Sequence, residues 1–208
     1  MSVSNSVFLF GYSGHAYVII ESLLDAGYQV KGYFDFKAAE NNPYGLDYFG
    51  YEKEVDVKSI VGNNLVFPSI GDNSIRKNLI GLFEKLHLNQ FVAVDSSANV
   101  SRTALINPST YIGKNVIVNG QTKIGKGVIL NSGCIIEHEC QVSNFVHVAP
   151  GAVLCGNVSV GEECFVGANS VVKQNLMISS ENVIGAGSVV ISHILEKGVW
   201  VGSKLRKL

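Results

Sequence analysis

From Val94 onward the chain keeps a beat of six. Seventeen successive positions six apart, running from Val94 through Ile112, Leu130, Val148 and Ile178 to Val190, are all aliphatic, and no gap or insertion breaks the count. Four residues after each of these anchors stands a mostly small residue, among them Ala98, Thr110, Cys134, Ala152, Cys164 and Ser170. A helix repeats at 3.6 residues and a strand at 2, so a period of six is commensurate only with the strand. The pattern predicts short strands joined by tight turns, each putting one large and one small side chain inside. That is the hexapeptide rhythm of a β-helix.

The first ninety residues follow another rhythm. Ser6–Phe10 is a β-prone run that stops at Gly11, and Ala16–Ala26 carries Val18, Ile19, Leu23 and Leu24 at helical spacing before Gly27. Gln29–Phe34 reads as a second strand ending at Asp35, and residues 36–57 read as a loop-rich connection. Leu65–Ile70 is the next strand. A helix capped by Ser74 follows over Ile75–Leu86, with Ile75, Leu79, Leu82, Phe83 and Leu86 as its apolar face. Phe91–Val94 reads as a last strand feeding the repeat. The sequence thus predicts a small Rossmann-like α/β domain over residues 1–93 with a parallel sheet, then a β-helix with a tail over residues 94–208, with no flexible linker between them.

Composition narrows the function classes. The 16 Lys and Arg against 17 Asp and Glu disfavour a nucleic-acid or anionic-membrane partner held by bulk charge. No apolar run reaches the roughly 18 residues of a membrane span, and the start, Met1-Ser-Val-Ser-Asn-Ser, has neither basic region nor apolar signal core. A cytoplasmic protein is expected. Cys134, Cys140 and Cys164 fall on the small inward position and Cys155 outward, at spacings matching neither a zinc pattern nor a disulfide framework.

Candidate chemistry lies in both halves. In an open parallel sheet ligands bind beyond the carboxyl ends of the strands, and Tyr12-Ser13-Gly14-His15, Asp35 and Gly71-Asp72-Asn73 all fall there. Glycines after the first strand let a phosphate approach the helix start, and Asp35 stands where a ribose-binding carboxylate falls. The full G-x-G-x-x-G fingerprint is absent, so a nucleotide diphosphate fits better than a redox dinucleotide. In the repeat, Glu137-His138-Glu139 interrupts the pattern at a corner. A histidine beside a carboxylate that fixes its tautomer suits a general base. Eighteen residues on, one coil of a three-strand helix, stands Gly156, whose N–H is open to serve as an oxyanion donor. Asn131 and His147 form a second outward set, half a coil from His138, so a shared site would need two chains.

With Gly11-Tyr-Ser-Gly-His15, Ile70-Gly-Asp-Asn73, Gly127-Val-Ile-Leu-Asn131 and Ile136-Glu-His-Glu-Cys140 in view, the whole chain resembles the bacterial hexapeptide-repeat sugar acetyltransferases of the PglD and NeuD type. The resemblance implies a left-handed, triangular β-helix and a homotrimer with sites between subunits. It also implies transfer from acetyl-CoA to the amine of a nucleotide-linked amino sugar such as a UDP-4-amino-4,6-dideoxy sugar, for surface-glycan or glycoprotein synthesis, with no metal. By the same resemblance His138 is the base, Glu139 orients it and the Gly156 N–H steadies the oxyanion. His147 contacts the acetyl group and Asn131 lines the site. Ala168 and Ala186, with Gly167 and Gly185 before them, approach the pantetheine. Tyr12, Ser13, Gly14, His15, Asp35, Gly71, Asp72 and Asn73 hold the nucleotide sugar.

Two positions depart from that pattern. Phe36 stands where the family often has a second carboxylate, which bears on the base of the nucleotide. The tail reads Gly202-Ser-Lys-Leu-Arg206 instead of Gly-x-Pro-Ala-Lys, which bears on how CoA is covered. An O-acetyltransferase of sialic acid or another surface sugar is the nearest rival. A non-catalytic β-helix that binds a nucleotide sugar is the rival of another class.

Overall fold

The computed structural model describes residues 5–202. The first domain is a five-stranded sheet of β1 (Ser6–Phe10), β2 (Gln29–Phe34), β3 (Asp47–Tyr48), β4 (Leu65–Pro68) and β5 (Asn89–Gln90), in the order β3-β2-β1-β4-β5. Every pairing is parallel. The chain leaves β1 for one side through β2 and returns to the other through β4, so the sheet's switch point lies at the carboxyl ends of β1 and β4. Helix α1 (Gly14–Asp25) buries Ala16, Ile19, Ile20 and Leu23. It stops where Gly27 turns left-handed at φ 80° and the Tyr28 N–H reaches back to the Leu23 carbonyl at 2.9 Å.

Two short elements escaped the sequence reading. The edge strand β3 is only two residues long with both side chains exposed, and α2 (Val57–Val61) is a single turn and a half started by Asp56, which accepts from the Ser59 N–H. Neither is long enough to show a period. Helix α3 (Asn73–Lys85) begins earlier than expected. Its cap is Asp72, which accepts the Ile75 N–H at 2.9 Å, and not Ser74. Its buried face is Arg76, Leu79, Ile80 and Phe83, whereas Ile75 stands half exposed. The expected Phe91–Val94 strand forms only over Ala93–Val94, which starts the coil, while the strand that completes the first sheet lies earlier, at Asn89–Gln90.

The remainder is a left-handed parallel β-helix with three sheets, one per side of the coil. Partners along each sheet are eighteen residues apart, as in Ile117↔Ile135 and Ile129↔His147. The anchors fill the interior, and Ile112, Leu130, Ile136 and Val148 are fully buried. The lower end is looser: Val94 is 37% exposed, and Val100 and Ile106 are only partly buried. The small inward residues do more than save space. Thr110, Thr122, Cys140, Cys164 and Ser170 each donate to the backbone carbonyl fifteen residues on, at 2.9–3.2 Å. Those corner carbonyls sit between strands, where no ladder partner serves them.

The corners share one backbone conformation. A residue with φ near 60° recurs every six positions, and the column includes Asn115, Glu139, Phe145, Asn157 and Asn169. Asn takes this left-handed state readily, but a phenylalanine there is an outlier that its surroundings must enforce. Phe145 is held by burial among Phe83, Ile80 and Leu79 under α3.

The three outer faces of the coil differ in chemistry. The first presents Ala93, Tyr111, Ile129 and His147 and is covered by the N-terminal domain, with Ala93, Tyr111 and Ile129 merging into the core of α1 and the sheet. The second presents Ile117, Ile135, Val153, Val171 and Val189 in one ladder. The third presents Leu105, Lys123, Gln141, Ser159 and Met177. Val199–Trp200 adds a final rung to the first face, and the Trp200 Nε1–H donates to Asn182 Oδ1 at 2.8 Å. The tail beyond residue 202, with Ser203–Arg206 of the atypical motif, lies outside the described residues.

Candidate active site

His138 sits at the corner between the second and third faces, just past the rung Ile135–Ile136. Its Nδ1 lies 3.0 Å from Glu139 Oε2. Glu139 points back at the ring because its own backbone is left-handed, with φ 61°. With Nδ1–H donated to the carboxylate, Nε2 is left as the proton acceptor. The side chain is 61% exposed, so water or a substrate reaches it freely.

Gly156 lies directly one coil away. A Cβ built on it would come within 2.6 Å of both Cε1 and Nε2 of His138, so any side chain there would displace the ring. Among the described residues the Gly156 N–H has no hydrogen-bond partner, which leaves a donor beside the imidazole. Glu137 accepts from the Asn119 side chain at 2.9 Å. The corner opens into a shallow cavity of about 380 Å³ bounded by Glu137, Glu139, Cys155, Asn157 and Gln174.

Asn131, Gly167 and Gly185 form a column on a different corner, between the first and second faces, with Ala168 and Ala186 beside it. Here the coils approach closely: a Cβ on Gly167 would meet the Ala186 nitrogen at 2.5 Å. The apolar second face therefore has the His138 corner along one edge and the Asn131 column along the other. One chain does not bring the two together.

The second candidate region is the crevice beyond β1, β2 and β4. A cavity of about 690 Å³ opens there, lined by Gly11, Asp35, Phe36, Tyr51, Glu52 and Lys53, with Ile70 and Asn78 on the α3 side. Asp35 holds the floor, its two carboxylate oxygens accepting the Tyr12 N–H at 2.8 Å and the Phe36 N–H at 2.7 Å. Ser13 and Gly14 are exposed at the start of α1, and the Ser13 hydroxyl makes no cap bond there. Backbone N–H groups at such a helix start suit a phosphate.

Two family models match the chain: the PglD N-terminal domain over residues 6–83 and the bacterial transferase hexapeptide (six repeats) over residues 139–174. The chain thus joins a match to a PglD N-terminal domain with a match to bacterial transferase hexapeptide repeats. Among solved structures it is similar to a histidine-to-asparagine mutant of perosamine N-acetyltransferase from Caulobacter crescentus in complex with CoA and GDP-perosamine, at 27% identity over 97% of each chain with a TM-score of 0.88. PerB from the same organism, also with CoA and GDP-perosamine, is 29% identical over 93% of this chain and 92% of that one, with a TM-score of 0.87. The acetyltransferase domain of PglB from Neisseria gonorrhoeae, with acetyl coenzyme A, shares the fold at 23% identity, covering 92% and 93% of the two chains at a TM-score of 0.82.

Several residues that the sequence placed around the ligand are committed to joining the two domains. Asn73 donates to the Glu163 and Cys164 carbonyls at 2.9 and 3.1 Å, and Asp72 caps α3. The Gly71 carbonyl accepts from Arg76 at 3.0 Å and faces His147 Nδ1 at 3.4 Å. His147 is buried, with Nε2 3.3 Å from the Asn131 amide. Burial first, then the Arg76 charge, pushes the His147 pKa down to about 4, so the ring is neutral; the same two causes bring His15 to about 4. His15 Nε2 is buried without a hydrogen-bond partner, 6.2 Å ring to ring from His147. The Tyr12 ring stacks on Tyr33 at 4.2 Å and its hydroxyl donates to Asn42, which leaves its backbone as the part that borders the crevice.

Sequence reasoning passed over Arg76, the centre of this junction. It is fully buried and all five of its N–H donors are used: on the Gly127 carbonyl at 2.7 Å, Ile70 at 3.2 Å, Gly71 at 3.0 Å, Asn73 Oδ1 at 2.7 Å and Phe145 at 3.0 Å. An arginine at an apolar position of α3 was the available signal. Tyr51, Glu52 and Lys53 were also missed, because they lie in a stretch with no period.

Proposed function

We propose that the protein is an acetyl-CoA-dependent N-acetyltransferase acting on the amine of a nucleotide-linked amino sugar for bacterial surface-glycan or glycoprotein synthesis. The observation that carries it is the coincidence of His138, Glu139 and the unpaired Gly156 N–H on one corner with a nucleotide-sized crevice in the matched PglD domain. Relatives of similar size bind CoA and GDP-perosamine, and one is named an N-acetyltransferase. A cytoplasmic setting, where acetyl-CoA is made, suits the free thiols of all four cysteines.

In the reaction the sugar amine attacks the thioester carbonyl carbon, forming the C–N bond. His138 Nε2 takes the proton that the amine sheds, with Glu139 stabilising the imidazolium. The carbonyl oxygen gathers negative charge beside the Gly156 N–H. Collapse breaks the C–S bond, and the proton passes from His138 to the departing sulfur, leaving an amide and free CoA thiol. Asn131, held by His147 and by the Ser132 N–H at 2.8 Å, lines the acyl end, and Gly167, Ala168, Gly185 and Ala186 border the pantetheine. Ser13, Gly14 and His15 take the diphosphate, and the remaining lone pairs of Asp35 take the ribose.

The working unit in this reading is a homotrimer. The ladder of Ile117, Ile135, Val153, Val171 and Val189 is an unbroken apolar strip, flanked by the His138 corner and the Asn131 column. Packing this face against further copies covers the strip and brings the His138 corner of one subunit to the Asn131 column of the next. A Val153→Asp chain is expected to run as a monomer in light scattering and to lose acetyl transfer. A monomer retaining full activity would refute the shared site.

The function itself is tested by following thiol release from acetyl-CoA over a panel of amino and hydroxy sugars, free and nucleotide-linked. Turnover on a nucleotide-linked amino sugar is expected. Turnover confined to free sialic acid would move the reaction to oxygen, and none at all would leave a binding protein.

A further inference from the structure

We infer that Glu52 selects the base of the nucleotide, and that the base is guanine. The inference rests on the nucleotide-sugar reading above and fixes which nucleotide fits. With the diphosphate at the start of α1 and the ribose at Asp35, the base extends to the far end of the 690 Å³ cavity, among Phe36, Tyr51, Glu52 and Lys53. The Phe36 ring is 74% exposed and meets Tyr51 edge-on at 5.5 Å, 81° from parallel, so one flat aromatic face stands uncovered beside the ribose position. A purine or pyrimidine stacks on such a face whatever its identity. Discrimination must come from a polar group, and Glu52 is the carboxylate that borders the cavity beyond Asp35.

Glu52 takes part in none of the ion pairs among the described residues. Burial raises the pKa of its carboxyl, and the nearby Asp35 charge adds to the rise, while its own backbone N–H and Lys53 oppose it. Apart from that backbone N–H no donor reaches the carboxylate among the described residues, and its oxygens border a partly desolvated cleft with acceptor capacity to spare.

An ionised carboxylate only accepts. Guanine alone among the common bases presents two adjacent donors, N1–H and the N2 amine, on one edge, matching both oxygens at once. Uracil and thymine present N3–H between two carbonyls, whose lone pairs repel the carboxylate. Adenine and cytosine pair one donor with a ring acceptor, which costs one of the two bonds. Lys53, next to Glu52 with its ammonium 5.5 Å from the Tyr51 ring centre, offsets the two carboxylates and supplies a donor for the guanine O6 edge. The uracil nucleotide implied by the family resemblance is the poorer partner for this cleft. Phe36, standing where the family often has an acid, leaves the choice of base to Glu52.

The test is calorimetric titration of the full chain and of Glu52→Gln with GDP, IDP and UDP. The wild-type protein is expected to bind GDP about ten- to a hundredfold more tightly than UDP, and several-fold more tightly than IDP, which lacks only the N2 amine. Glutamine offers one donor and one acceptor, which match the uracil N3–H and O4. Glu52→Gln is therefore expected to lose about tenfold or more on GDP while gaining on UDP. UDP binding at least as tightly as GDP to the wild type would overturn the guanine assignment and leave the nucleotide-sugar reading standing. Equal losses on all three nucleotides would mean that Glu52 supports the fold of the cleft and does not read the base. If a folded protein that turns over acetyl-CoA bound no diphosphate, the nucleotide-sugar reading and this inference would fall together.

Discussion

Replacing His138 by alanine is expected to lower kcat for acetyl transfer by about 10²–10⁴-fold, with the melting temperature and the oligomer mass unchanged. The two halves of that expectation have separate causes. Among the described residues the imidazole is the base placed against Gly156, so its loss leaves the attacking amine to shed its proton to water. The ring is also mostly exposed and fills no part of the coil interior, so the fold has little to lose. The measurement is thiol release at saturating nucleotide sugar, with calorimetry beside it. A variant within a few-fold of the parent would remove His138 from the chemistry, and one that unfolded would show that the corner depends on it.

The second large effect concerns stability. Arg76→Met is expected to cost about 3–5 kcal/mol, because it strands several buried carbonyls that the guanidinium now satisfies. Methionine replaces the stem but none of the five donors. For a chain of this size each kcal/mol moves Tm by roughly 2–4 °C, so scanning calorimetry should register a drop of about 6–20 °C. Lys77→Ala is the comparison. Lys77 pairs with Glu163 across the same junction from an exposed position, and such pairs contribute about 1 kcal/mol or less. Equal, small losses for both would mean that water replaces Arg76 without difficulty and that the domains are held by apolar contact alone.

What the sequence made legible was whatever repeats. The coil is seen at once, because each rung must bury an aliphatic residue at a fixed interval, and β1 and β2 are bounded by turn residues that leave little freedom. The His138 corner was also visible, since a charged triplet interrupts a pattern that has no structural use for it. The junction between the domains was not. Asp72, Asn73, Arg76, Phe145 and His147 are brought together from segments up to 75 residues apart, and no local period records such a meeting. Each had a plausible local role that the tertiary structure overrode: Asn73 turned from the crevice to the coil, and α3 rotated so that Arg76, not Ile75, faces inward. The cleft residues Tyr51 and Glu52 were hidden for the opposite reason, lying in a loop whose shape is set by β3 and by Asp35, not by any pattern of its own.

The uniform register of the coil also bears on the order in which the molecule assembles. Every rung closes a loop of eighteen residues onto the rung before it, so each step costs the same small closure entropy and adds a similar core layer. Growth of that kind proceeds from any nucleus toward either end, as in other quasi-one-dimensional folds. The Arg76 clamp obeys a different rule: its partners at Gly127 and Phe145 lie 51 and 69 residues away. They acquire their final spacing only once two adjacent rungs are in place. Closing the Arg76 clamp therefore requires that pair of coils to be formed, so the joint between the domains depends on the repeat more than the repeat depends on the joint.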